Sequence, residues 1–326
     1  MSNRGFTLAE LLLVLALLGL IMGIGAVGLE RMDPGSRGLR ATTLTFLQAS
    51  RDRARASGKP VSLEVVPPAA DGSPARLVRY SYRRSLEATF ESSARERENL
   101  SPVAPAVLDK PGRVGGGLDL VQGGGVLVQG KGGVVRSPHG VVIGIDVYRS
   151  ENDGAGTLIE WEGLMSLRVR NDGSLDFSVR AGDGRTFARF ALSAPSGSMP
   201  EGRWHHLVIA AADEQMSIKI NGHEIASGIL DPVLAEPEGP PYLGDPEGEF
   251  HGLIDEFTVW TRFRENGPEL REDVLVIFDP PTLRFDRYGL LDAATHNQDP
   301  VGVALVEYGD IVDSFWVGRF TEEIGP

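Results

Sequence analysis

A single carboxylate, Glu10, stands near the start of an otherwise almost unbroken apolar stretch running from Phe6 to Leu29. From Leu11 to Leu29 there is no charge at all, close to the roughly 20 apolar residues a helix needs to cross a bilayer. An ionised carboxylate at that position is costly unless it is paired or sits at the interface. A cationic partner from outside the stretch is therefore expected. Headgroup depth for Glu10 is the plainer alternative. A secretory signal is another, although its basic residues precede a shorter apolar core and small residues for cleavage follow it.

Other residues with chemical potential are scattered. His205 and His206 are adjacent on an expected strand, so their rings point to opposite faces and cannot chelate one metal together. Asp255 and Glu256 are expected to diverge in the same way, unlike the facing carboxylates of a glycosidase. Glu307, Asp310 and Asp313 cluster near a strand end without a neighbouring base or nucleophile, and read as a solvated face. The glycines at 115–117, 123–125 and 132–133 follow no nucleotide-binding spacing and read as turns. No serine, histidine and acid constellation is legible, so no enzymatic activity is expected.

The segment Arg4-Gly5-Phe6-Thr7-Leu8-Ala9-Glu10 and the leucines after it resemble the processing signal of type IV prepilins and type II secretion pseudopilins. The resemblance implies cleavage after Gly5 by a membrane-bound prepilin peptidase and methylation of the new terminus at Phe6. It also implies that Glu10 pairs with the positive terminus of a neighbouring subunit. Residues 1–5 would be the leader and 6–60 the pilin helix, with 8–29 in the membrane and 39–57 amphipathic. Flanking charge does not orient the span, since Arg4 precedes it while Arg31, Arg37 and Arg40 follow. A cytoplasmic N-terminus is implied by the resemblance alone, as is a single-pass protein of the bacterial inner membrane with its head in the periplasm or on a filament.

The 326 residues leave room for one large or two ordinary domains beyond that helix. With 41 Gly and 21 Pro, many turns and a β-rich exterior are expected. A formal net charge of −13 disfavours nucleic acid as a partner. Cysteine is absent, which removes disulfides, thiol nucleophiles and cysteine metal sites.

Pro34, Gly35 and Gly38 are expected to break or bend the first helix. Leu39, Thr43, Phe46, Leu47, Ser50 and Ala54 then recur at helical spacing, with Ser57-Gly58 as the stop. Strands are expected at 61–66 and 76–82, followed by a charged linker or short exposed helix from Arg83 to Asn99. The helix running through Ala54-Arg55-Ala56-Ser57-Gly58 into Val61 is similar to H-type minor pseudopilins, the GspH/FimT group. That resemblance implies an antiparallel pilin-type β head built from 61–99 and 265–326, with Glu265-Asn266-Gly267-Pro268 as a second linker.

Between the linkers the chain becomes Gly-rich, with short strands at regular intervals and turn signals at Asn171-Asp172-Gly173 and Asn221-Gly222. Trp204-His205-His206, Ile220-Asn221-Gly222 and Gly252-Leu253-Ile254-Asp255-Glu256 through Trp260 resemble the strands of laminin G-like, concanavalin A-like jelly rolls. This implies a jelly roll over 100–264. The expected class is thus α+β: a transmembrane pilin helix, a pilin-type β head, and an inserted all-β sandwich.

In such jelly rolls the aspartate of the I-D-E motif can coordinate a structural Ca2+, for which hard oxygen ligands are suited. The resemblance extends that role to Asp255, and no cofactor is otherwise required. The implied function is a pseudopilin or minor pilin-like subunit of a type II secretion or type IV pilus machine. Its implied partners are prepilin peptidase, other pilins, the inner-membrane assembly platform, and a glycan or exported protein. A membrane-tethered adhesin or lectin is the alternative, with a carbohydrate-active enzyme behind it.

Overall fold

The structure is a computed structural model describing residues 35–68, 72–91, 99–103, 105–120, 122–129, 138–151, 154–245, 249–271, 273–293, 295–296, 300–318 and 324–325. Helix α1 covers Gly35–Ser57. Thr43, Leu47, Ser50 and Ala54 are fully buried on its inner face, as their spacing requires. The helix ends where Gly58 adopts φ 62°, a left-handed conformation that costs glycine little. The helix starts at Gly35, immediately after Pro34, and Gly38 lies inside it; the expected break or bend of the preceding helix at Pro34 falls outside the described residues.

The strands are β1 Val61–Val66, β2 Arg76–Ala88, β3 Leu100–Val103, β4 Val107–Pro111, β5 Gly116–Asp119, β6 Gly124–Val128, β7 Gly140–Arg149 and β8 Gly156–Trp161. They continue as β9 Met165–Val169, β10 Leu175–Gly182, β11 Phe187–Ala194, β12 Trp204–Ala212, β13 Gln215–Ile220, β14 His223–Ile229, β15 Val233–Leu234 and β16 Tyr242–Asp245. The last are β17 Gly252–Glu269, β18 Val274–Asp279, β19 Thr282–Phe285, β20 Val301–Glu307, β21 Asp310–Val317 and β22 Ile324–Gly325.

One sheet runs β14-β13-β12-β7-β17-β2-β1-β19, with β5 also pairing β17 and β4 pairing β5. A second runs β11-β10-β9-β8-β16-β6-β3, with β15 on β10, and a third runs β18-β20-β21-β22. The first two enclose a jelly-roll core that includes Trp161, Phe177, Phe250 and Phe257. A separate core, including Leu47, Leu63, Phe278, Phe285 and Phe315, lies under α1. The Asn221-Gly222 signal is a two-residue turn with φ 52° and 86° between β13 and β14, the left-handed pair that a tight hairpin needs.

Two expected linkers are strand instead. Arg83 to Ala88 continue β2, and Glu265 to Pro268 lie inside β17. The two strands pair from Phe257↔Ala88 to Glu269↔Arg76, because backbone donors and acceptors there satisfy each other whatever the side-chain charge. The expected pilin-type β head is also corrected: the described residues carry one helix and no such head. β1, β2 and β19 instead extend the sheet that forms one side of the jelly roll.

Phe285 is fully buried on β19 beneath the helix, and Arg51 lies 5.4 Å from its ring centroid. Phe285→Ala is expected to destabilise the protein by about 3–5 kcal/mol, read as a lower urea midpoint in equilibrium unfolding.

Candidate functional site between the two cores

Strand alternation sorts β1, β2 and β19 into two faces. Val61 opposes Phe285 and Leu63 opposes Leu283, all buried in the core under α1. The intervening residues face the other way: Ser62 opposes both Tyr80 and Arg284, and Glu64 opposes Thr282. That second face forms one wall of a cavity of about 450 Å3, lined also by His139, Asp213, Glu214, Val233, Arg262 and Thr295. The volume is in the range of small-molecule sites.

Asp213 and Glu214 reach the cavity from a two-residue turn in which both adopt left-handed backbone, φ 55° and 58°. Aspartate adopts that conformation more readily than glutamate, and a primed turn built without glycine persists where the surroundings over-determine it. Here the surroundings are cations. Arg262 contacts Asp213 at 2.6 Å and Arg284 contacts it at 3.4 Å, while the Tyr82 hydroxyl donates to the same carboxylate at 3.3 Å. Arg262 also donates to the Ser62 hydroxyl at 2.7 Å and lies 4.2 Å from the Tyr80 ring centroid. The His139 ring meets Tyr80 edge-on at 5.5 Å.

The electrostatics follow from this burial. Burial pushes the Glu64 carboxyl up, opposed by Arg262 and reinforced by Asp213 and Glu214. Burial pulls the His139 imidazole down, and Arg262 and Arg264 add to the effect. The Tyr80 and Tyr82 phenols are both raised, first by burial. The cavity thus offers hydroxyls, a neutral imidazole and carboxylates, a set suited to hydrogen-bonding a polar, hydroxyl-rich ligand. None of its described hydroxyls is set against a histidine as a nucleophile would be.

The residues singled out by sequence lie elsewhere. His205 is buried, with Nε2 2.8 Å from the Pro200 carbonyl oxygen, whereas His206 Nδ1 lies 2.6 Å from Asp146 on the opposite face. Asp255 is fully buried. Its carboxylate accepts the backbone N–H of Val114 at 2.9 Å and of Glu256 at 2.8 Å, which ties the loop before β5 to β17. The expected divergence of Asp255 and Glu256 is modified by a bulge, with Glu256 at φ 48°. The bulge keeps Glu256 within electrostatic reach of Asp255 and Asp146, and its carboxyl is raised by burial and then by those neighbours.

Around Asp255, for which a Ca2+ role is implied, the described partners are protein donors. Both of its oxygens already accept backbone N–H groups, and Asp146 is held by Arg113 at 2.9 Å. Among the described residues no group of three or more His, Asp or Glu could hold a metal ion. Asp313 bonds Arg40 of α1 at 3.0 Å and is structural. Gly5, Phe6 and Glu10 lie outside the described residues. Among the described residues no helix is long and apolar enough to cross a membrane.

A family model described as the concanavalin A-like lectin/glucanases superfamily matches residues 146–266. A second, the prokaryotic N-terminal methylation motif, matches residues 1–26. The chain joins a prepilin-type terminus to a jelly roll. No curated protein matches it. Among solved structures, domain 4 of AbnA, a GH43 extracellular arabinanase from Geobacillus stearothermophilus in complex with arabinotriose, is 14% identical. The match covers 57% of this chain and 95% of that one, with a TM-score of 0.41. The CBM40 of the Ruminococcus gnavus IT-sialidase, bound to alpha2,3 sialyllactose, is 13% identical over 48% of this chain and 92% of that one, with a TM-score of 0.30. Carbohydrate-binding module CBM66 from Bacillus subtilis is 12% identical over 51% and 95%, with a TM-score of 0.29.

The cavity residues Glu64, Asp213, Arg262 and Arg284 carry no sequence motif. The one available signal was the short gap between the strands ending at Ala211 and starting at Met216, a tight turn without glycine. A pH prediction follows from Glu64. Its folded-state carboxyl is raised, so the protonated form is favoured by folding. That contribution is fully present below the unfolded carboxyl range, near pH 4, and is lost as pH rises through the folded value. Glu64→Gln should flatten the decline of unfolding free energy above about pH 4, as measured by urea titrations across pH 4–7.

Proposed function

We propose that this chain is a minor pilin-like subunit of the H-type, GspH/FimT group, serving a type II secretion or type IV pilus machine. Prepilin peptidase removes residues 1–5 and the new terminus at Phe6 is methylated. The apolar run holds the protein in the bacterial inner membrane as a single span, with the folded part in the periplasm or on a filament. Glu10 pairs with the terminus of a neighbouring pilin on the assembly platform. The observation that carries this reading is the methylation motif matched at residues 1–26 ahead of a jelly roll.

The layout of the folded part supports display. Arg40, near the start of α1, pairs with Asp313, whereas Lys59, just beyond its end, lies 4.7 Å from the Trp260 ring centroid on β17. From there β17 continues into the jelly roll. The jelly roll therefore lies beside the C-terminal end of α1, away from Arg40 near its start. Its place in the concanavalin A-like superfamily over residues 146–266 and the hydroxyl-matching chemistry of the cavity support a glycan as the displayed module's ligand. An adhesin or lectin that uses the run only as a tether is the second reading, favoured by the same match.

In a host with prepilin peptidase, the mature chain should begin at N-methylated Phe6 by mass spectrometry. Gly5→Trp should leave it beginning at Met1, and an unchanged mature mass would refute the processing. Glu10→Ala should leave the protein in the membrane but prevent its recovery in sheared filaments, whereas a pure tether would tolerate the change. On a polysaccharide array the detergent-solubilised chain should bind, and Arg262→Ala should weaken that binding if the cavity holds the sugar.

A further inference from the structure

β18 and the β20–β21 hairpin, packed with α1 around one core, expose apolar side chains. Arg40 bonds Asp313 at 3.0 and 3.1 Å and lies 5.8 Å from the Phe315 ring centroid. Farther along the helix, Arg51 donates to the Gly318 carbonyl at 3.4 Å. The two contacts occur in the same order on both elements, so α1 and β21 run side by side in one direction. Traced back from Arg40, the helix reaches Gly35 after about 7 Å. Traced back from Asp313, β21 reaches its first residue, Asp310, after about 10 Å. The β20–β21 turn at Tyr308-Gly309 is therefore level with the first turn of α1.

At that level Tyr308 is 77% exposed, Ile311 69% and Leu275 42%. Leu275 and Ile311 both oppose Val306, so the three form one apolar row across the sheet. The turn is held in place, since the Tyr308 N–H donates to the Asp273 carbonyl at 2.9 Å. Only residues 30–34 separate Gly35 from Leu29, the end of the uncharged run, and that length of chain spans at most about 20 Å.

We propose that the β20–β21 hairpin is a membrane foot: Tyr308, Ile311 and Leu275 rest in the interfacial layer of the bilayer that the run from Leu11 to Leu29 enters. This rests on the reading of that run as membrane-embedded. An aromatic ring with a polar tip is suited to headgroup depth, and aliphatic side chains beside it gain by leaving water. Glu307 and Asp310 flank the tip, so the contact is with zwitterionic lipid and does not depend on attraction to anionic headgroups. The foot sets the height of the folded part above the bilayer and limits its tilt.

The chain contains no cysteine, so Tyr308→Cys, Ile311→Cys and the remote control His223→Cys can each carry a single environment-sensitive fluorophore. The labelled full-length chain is reconstituted at low protein density into phosphatidylcholine vesicles, and retention after alkaline carbonate flotation reads the anchor separately. Labels at 308 and 311 are expected to shift to the blue and to be quenched by a nitroxide near the lipid headgroup, while the label at 223 stays water-like. Leu275→Asp should reverse the shift at 311 without altering the far-ultraviolet circular dichroism. Carbonate-resistant chains whose labels at 308 and 311 stay water-like would overturn the foot while leaving the anchor intact. Shielding from iodide without lipid quenching would overturn it in favour of contact with another copy. Loss of the chain from the vesicles would overturn the membrane reading, and the foot with it.

Discussion

The ladder between β2 and β17 carries the rest of the molecule. β17 is 18 residues long, or about 60 Å at the rise of an extended chain. Its first half pairs β7 inside the jelly roll and its second half pairs β2 beside α1. Two cores that share no side chains are thereby held by one hydrogen-bonded sheet. A flexible connection would leave the relative position of the two cores open. A shared strand fixes it, because turning one core against the other would break backbone hydrogen bonds that have no alternative partner in the interior.

The cavity is a consequence of that splice. Alternation along β1, β2 and β19 places apolar side chains under the helix and polar ones on the reverse face. The β12–β13 turn of the jelly roll comes down onto that reverse face. Asp213 meets two arginines there, which help to hold a left-handed turn that contains no glycine. Around this fastening, burial raises the Glu64 carboxyl and lowers the His139 imidazole. A ligand entering the cavity meets hydrogen-bonding groups that the fold has already oriented, so little ordering remains to be done on binding.

The β20–β21 hairpin and β18 expose Tyr308, Ile311 and Leu275. The sandwich carries polar outer pairs such as Ser166 and Ser178, hydroxyls 2.8 Å apart on β9 and β10, beside exposed apolar side chains such as Ile229 and Val114. Asp255 serves the fold: its carboxylate accepts backbone N–H groups where β17 bulges, at the end of the strand that must stay in register.

Local pattern was enough for those features whose cause is local. The uncharged run to Leu29, the buried stripe of Thr43, Leu47, Ser50 and Ala54, the Asn221-Gly222 turn and the divergence of His205 from His206 were all legible. Each depends on helical or strand periodicity, or on one residue's backbone preference. The continuation of β2 through Arg83 to Ala88 and of β17 through Glu265 to Pro268 was not legible, because charged and Gly-Pro residues look like linkers until a distant strand supplies hydrogen bonds. Nor was the meeting of Asp213 with Arg262 and Arg284, which joins residues far apart in the chain through a turn without glycine. The sequence by itself determined what enters the membrane reading and which faces are apolar. Only the tertiary structure decided that one sheet runs through both cores and leaves a polar cavity between them, since strand pairing is a contest among all available edges that no local stretch contains.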